Sequence, residues 1–149
     1  VLIDAKRDFG LDHSEVTELL ELAVHEDEEA LAAAKALYQA EDNGYLLRLY
    51  QEEGETLGLI GFHMDPESGT LTIQHICVFP EYRNQGFGRG LILEALMEQS
   101  PDTIKAVVDE EAADFYRNIG FIVTSHGVTA SGDEQFLCVY HAVEREDEF

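Results

Sequence analysis

Apolar positions near the start of the chain recur at helical spacing, then switch to strand spacing. Val1 to Lys6 reads as a first strand. Asp12 with Glu15 three residues on has capping-box spacing, and Val16, Leu19, Leu20 and Ala23 follow as one helical face. A second helix opens on Asp27, Glu28 and Glu29, acids suited to a positive N-terminal dipole. It buries Ala30, Leu31, Ala34, Leu37 and Tyr38 and stops at Asn43-Gly44. The period then falls to two. Tyr45–Gln51, Thr56–Met64 and Thr70–Val78 read as strands, joined by turns at Glu52–Glu55 and Asp65–Gly69. A helix over Leu91–Glu98 and a strand over Ile104–Val108 follow. The next helix carries Ala112, Phe115, Tyr116 and Ile119 and ends at Gly120. Phe121–Val128 and Gln135–Val143 close the chain as a hairpin. The element order is β-α-α-β-β-β-α-β-α-β-β, with no internal repeat.

The densest chemical signal is Arg83-Asn84-Gln85-Gly86-Phe87-Gly88-Arg89-Gly90, between the third meander strand and a helix. Glycines let a backbone approach a ligand closely, and free N–H groups with the helix dipole favour an anion. Leu91 stands where a dinucleotide fingerprint needs its third glycine, and no Gly-Lys-Ser/Thr follows to make a P-loop.

Arg83, Gly86 and Gly88 do fit Arg-x-x-Gly-x-Gly, which resembles the pyrophosphate loop of the GNAT superfamily of N-acetyltransferases. Upstream, His75 to Tyr82 resembles the strand and Pro-Glu-Tyr elbow that precede that loop. Downstream, Ala112 to Phe121 resembles the second family signature, a helix ending in Tyr-x-x-x-Gly-Phe. The resemblance implies an α+β fold: a mixed, mostly antiparallel central sheet flanked by helices. It implies acetyl-CoA as co-substrate, with its diphosphate held by Arg83, Asn84, Gln85, Gly86, Phe87, Gly88 and Arg89. It implies that the backbone of Ile76, Cys77 and Val78 pairs with the pantetheine arm, as a free strand edge does with an extended ligand. It also implies that Tyr116 is the general acid protonating the leaving thiolate, although the same residue completes an apolar helix stripe. Asp109 departs from the family pattern, which often has Asn seven residues before the tyrosine.

The general base is open in the sequence. The strand before the loop offers Thr72, Gln74 and His75 but no acid, so the base is His75 or a chain of water. His63 is a lesser candidate.

Charge narrows the partners. The 149 residues hold 31 acids against 9 Lys plus Arg, a net charge of −22. Such a field repels nucleic acid and anionic membranes. It suits a solubilising surface first and steering of a cationic acceptor second. With 45% apolar residues the chain is expected to fold as one domain over 1–149, with an acidic tail over 143–149. No apolar run reaches membrane length and the N-terminus has no basic-then-apolar signal, so a cytoplasmic location is expected. Cys77 and Cys138 lie far apart in apolar runs and are expected to be reduced and buried; no metal motif is present. The expected function is direct transfer of acetyl from acetyl-CoA to a primary amine of a small molecule or peptide, by a monomer or homodimer. The alternative is a non-catalytic module of the same fold that binds or senses acyl-CoA.

Overall fold

The computed structural model describes residues 1–143. The predicted acidic tail, Val143 apart, lies outside the described residues. Seven strands are hydrogen-bonded in the order β1-β2-β3-β4-β5-β7-β6. They are β1 (Leu2–Asp4), β2 (Tyr45–Glu52), β3 (Glu55–Asp65), β4 (Thr70–Val78), β5 (Thr103–Val108), β6 (Ile122–Val128) and β7 (Glu134–His141). The helices are α1 (Ser14–Ala23), α2 (Glu28–Gln39), α3 (Phe87–Gln99) and α4 (Glu110–Asn118). Element order and the mixed sheet agree with expectation: β4 and β5 are parallel, whereas β1–β2, β2–β3, β5–β7 and β6–β7 are antiparallel.

The chain forms two compact units that divide within β4. The first holds Val1–Met64 and Gln74–Ser100, and the second holds Asp65–Ile73 and the chain from Pro101 onward. In the first unit, every residue from Thr56 to Phe62 of β3 is buried, which requires cover on both strand faces. Leu47, Leu49, Leu59 and Cys77 pack with Val16, Leu19 and Leu20 of α1 and with Ala34 and Tyr38 of α2. The other face meets α3, where Leu91 lies against Gly58. Arg48 ties the rim together, its Nε donating to Glu98 at 2.9 Å while Nη1 lies 3.6 Å from Asp4. In the second unit α4 packs on β5, β6 and β7. Asp65 closes the turn before β4, accepting from the Glu67 N–H at 3.1 Å and the Ser68 hydroxyl at 2.9 Å.

Several local expectations are corrected. The first strand ends at Asp4 rather than Lys6, because the Asp4 side chain accepts from the Arg7 N–H and starts a π-helical turn over Ala5–Phe9. The capping box does not form. The cap of α1 is His13, whose Nδ1 accepts from the Glu15 N–H at 3.2 Å. Asp12 pairs instead with Lys35, and Glu15 accepts from the buried Thr56 hydroxyl. Helix α2 ends at Gln39, before Asn43-Gly44. The Asn43 side chain then bridges the exit, donating to the Leu37 carbonyl and accepting from the Tyr45 N–H. Helix α3 starts at Phe87, four residues earlier than its apolar spacing implies, because Gly88 and Gly90 mask its first turn. The last strand stops at His141 rather than Val143.

Candidate active site

The glycine loop is built in the first unit by a short 3₁₀ turn and two left-handed residues. Pro80–Tyr82 form the turn, and Asn84 (φ 64°) and Gly86 (φ 85°) then reverse the chain into α3. Gly86 is the N-cap and has no side chain to satisfy the helix start. The first bond into the helix runs from the Gly90 N–H to the Gly86 carbonyl, 3.0 Å. The N–H groups of Phe87, Gly88 and Arg89 thus have no acceptor among the described residues.

The charge at this end is unusual for the chain. Helices α1, α2 and α4 each carry acids in their first turn, and α3 carries none. Arg89 occupies that turn instead, exposed and without an ion pair among the described residues. A cation there opposes the helix dipole, so the arrangement is favourable only with an anion present.

The other loop residues have structural duties. Arg83 folds back: its Nε donates to the Val78 carbonyl at 3.0 Å and its Nη2 lies 4.0 Å from Cys77 Sγ. Phe87 sits edge-on between Tyr50 and Tyr82, with centroids 6.1 and 6.2 Å away, and anchors the helix start. Gln85 donates to the Glu81 carbonyl. The Val78 carbonyl is engaged by Arg83. Cys77 is 8% exposed and Cys138 fully buried, both free thiols. Burial pushes both thiols up, against the pull of Arg83 on Cys77 and of Arg117 on Cys138.

His75 is half-buried on the β4 face that carries Cys77, and its Nδ1 lies 2.7 Å from the Tyr38 hydroxyl. Burial alone lowers its pKa, so the ring is neutral at physiological pH. His63 stacks on Tyr45 across the β2–β3 pair, centroids 4.8 Å apart. Tyr38, the partner of His75, was not legible as a site residue, because its place in the α2 stripe explains it as core.

In the second unit Tyr116 is 1% exposed, edge-on to Phe115 and Phe121. Burial, with a smaller contribution from Cys138, drives its pKa far up. Its hydroxyl makes no hydrogen bond among the described residues. Asp109 is the N-cap of α4, its Oδ1 accepting from the Ala112 N–H at 2.9 Å. The departure from the family pattern thus has a local use, and Asp109→Ala should cost about 1 kcal/mol in a denaturant titration, while Asp109→Asn should be nearly neutral. An open cleft of about 780 Å³ lies between the start of α4 and the β6–β7 turn, lined by Asp109, Glu110, Glu111, Asp114, Asp133 and Glu134.

The sequence model of the acetyltransferase (GNAT) domain matches residues 16–133. The chain belongs to the GNAT acetyltransferase family. Over 81 residues this GNAT chain is 31% identical to GCN5-related N-acetyltransferase 2, chloroplastic, of Arabidopsis thaliana, a match covering 52% of the chain and 31% of that relative. The chain thus spans about a third of that relative's length. Its fold is that of an aminoglycoside 6'-N-acetyltransferase complexed with coenzyme A (TM-score 0.76, 13% identity, 99% of each chain covered). A spermidine N-acetyltransferase SpeG chimera, from Vibrio cholerae and hSSAT, shares it too (TM-score 0.67, 17% identity, 95% of each chain covered). Among the described residues no helix is long and apolar enough to cross a membrane.

Proposed function

We propose that this GNAT chain, acting as one acetyl-CoA-binding domain, transfers an acetyl group from acetyl-CoA to a primary amine by direct attack. The observation that carries the proposal is the start of α3 in a strongly acidic chain: a left-handed glycine cap, three N–H groups without an acceptor and an Arg89 without an ion pair among the described residues. That set fits a diphosphate. When bound, acetyl-CoA supplies an activated acyl carbon on a thiol leaving group.

The chain's own residues then have separate tasks. The α3 start holds the diphosphate, and the β4 backbone near Ile76–Val78 aligns the arm. As the new N–C bond forms and the C–S bond breaks, Tyr116 gives its proton to the departing sulfur. The acceptor is a small-molecule amine. Fold neighbours that are aminoglycoside and spermidine N-acetyltransferases support that class, and the acidic field draws cations toward the chain.

Coenzyme A at a hundredfold its Kd should stabilise the protein by about 2.7 kcal/mol, read as a rise in melting temperature. Gly88→Val should remove that rise by placing a branched side chain where the phosphates approach. A folded Gly88→Val protein with the wild-type shift would move the anion site elsewhere.

A non-catalytic acyl-CoA module is the second reading, favoured by the lack of a carboxylate on β4 and the near-complete burial of Tyr116. Release of free thiol over a panel of amines separates the two. Ligand-induced stabilisation without turnover supports the module.

A further inference from the structure

A hydrogen bond in the first unit decides what His75 can do. The Tyr38 hydroxyl and His75 Nδ1 are 2.7 Å apart, and the rings meet edge to face with centroids 5.5 Å apart. Tyr38 is 2% exposed, and the fold reserves its place. Gly61 of β3 lies beneath the phenol, and a Cβ there would overlap the Tyr38 hydroxyl and ring. A hydroxyl buried to this degree places its proton on an acceptor. Among the described residues His75 Nδ1 is the hydrogen-bond partner of that phenol.

We infer that Tyr38 donates to Nδ1 and so fixes His75 in the Nε2–H tautomer, which makes His75 a hydrogen-bond donor toward ligand and not the general base. The opposite tautomer would point the Nδ1–H at the phenol oxygen and strand the phenol proton in the core. Full transfer between the two groups is also disfavoured. Burial raises Tyr38, with Tyr45 adding to it, and burial alone lowers His75, so both stay neutral. No charged side chain from α2, β3 or β4 acts on the imidazole. Nor is the pair a relay, since a proton passed into Tyr38 has no onward partner among the described residues.

An Nε2–H suits a carbonyl oxygen and repels an ammonium. His75 adjoins Ile76–Val78, where the proposed acyl arm runs, so its ligand chemistry is an amide or thioester carbonyl. Tyr38 is then a positioning residue, and the proton of the attacking ammonium leaves through water. This kinetic consequence rests on the acetyl-transfer reading, but the tautomer does not.

The test is nitrogen NMR on the whole chain with labelled histidine, the His75 signals assigned with His75→Gln. At neutral pH, Nδ1 should appear as an unprotonated, hydrogen-bonded nitrogen and Nε2 as protonated. Tyr38→Phe should return His75 to a mixture of tautomers. An Nδ1–H tautomer in the wild-type protein overturns the inference. In turnover assays, His75→Ala should lose about 10-fold more kcat/KM than His75→Gln, which keeps an N–H near the Nε2 position. Equal losses in both variants, with disappearance of the acidic limb of the pH profile, would restore His75 as the base and overturn the inference as well. The expected NMR pattern with no turnover on any amine would sink the acetyl-transfer reading and leave the tautomer assignment standing.

Discussion

Tyr116→Phe should lower kcat by about 10- to 1,000-fold while leaving coenzyme A affinity nearly unchanged. The hydroxyl makes no hydrogen bond among the described residues, and the ring keeps its contacts with Phe115 and Phe121. Stability should therefore shift by less than about 1 kcal/mol. The raised pKa of the phenol raises the question of whether it can donate at all. The surroundings that disfavour phenolate also disfavour thiolate, since desolvation pushes any acid of this charge type upward. For a thiolate formed beside the phenol, what matters is the difference between donor and acceptor, and shared desolvation changes that difference little. The measurement is steady-state turnover with free thiol detected, alongside a thermal shift for the cofactor. Unchanged turnover would leave Tyr116 as core and assign the proton to water. Lost binding would mean that the hydroxyl holds the ligand.

Gly61→Val should destabilise the protein by about 3 kcal/mol, the upper end of overpacking costs. The added Cβ overlaps the Tyr38 ring and also lies 3.0 Å from Leu47 Cδ1. Both neighbours belong to the core between β2, β3 and α2, so neither can swing into solvent. For a chain of this length the loss corresponds to a fall in melting temperature of roughly 6–12 °C. The Tyr38 ring is the obstacle, so the two positions must be coupled. Gly61→Val combined with Tyr38→Ala should be little worse than Tyr38→Ala alone in a double-mutant cycle. Additive losses would show that Gly61 is needed for some other reason, such as its strand geometry.

The sequence revealed what depends on periodicity and on local backbone chemistry. The strands of the meander carry alternation or buried runs strong enough to mark them, and Asp27 and its acids announce α2. Arg83 to Gly90 was legible because a glycine loop has a direct backbone consequence. Contacts between distant side chains were not legible. Asp12 and Glu15 have capping-box spacing, yet tertiary partners Lys35 and Thr56 take both side chains, and His13 caps α1 in their place. Arg83 looked like a phosphate ligand by position, but much of its hydrogen bonding goes to the strand end it follows. Tyr38 and His75 are 37 residues apart, and the one hint of their pairing was a glycine at 61 inside an apolar strand, a usual mark of close approach.

The unsatisfied start of α3 also has a dynamic consequence. Among the described residues the amides of Phe87, Gly88 and Arg89 have no acceptor, and Arg89 opposes the helix dipole, so without an anion this turn should fray and exchange its hydrogens with solvent almost as fast as an open loop. The next turn, beginning with the Gly90 amide, is bonded and should exchange more slowly. A diphosphate at this end would protect those three positions and leave α1, α2 and α4 at their own rates. Hydrogen exchange followed residue by residue can therefore locate the anion on the chain without a bound structure and before any acceptor amine is known.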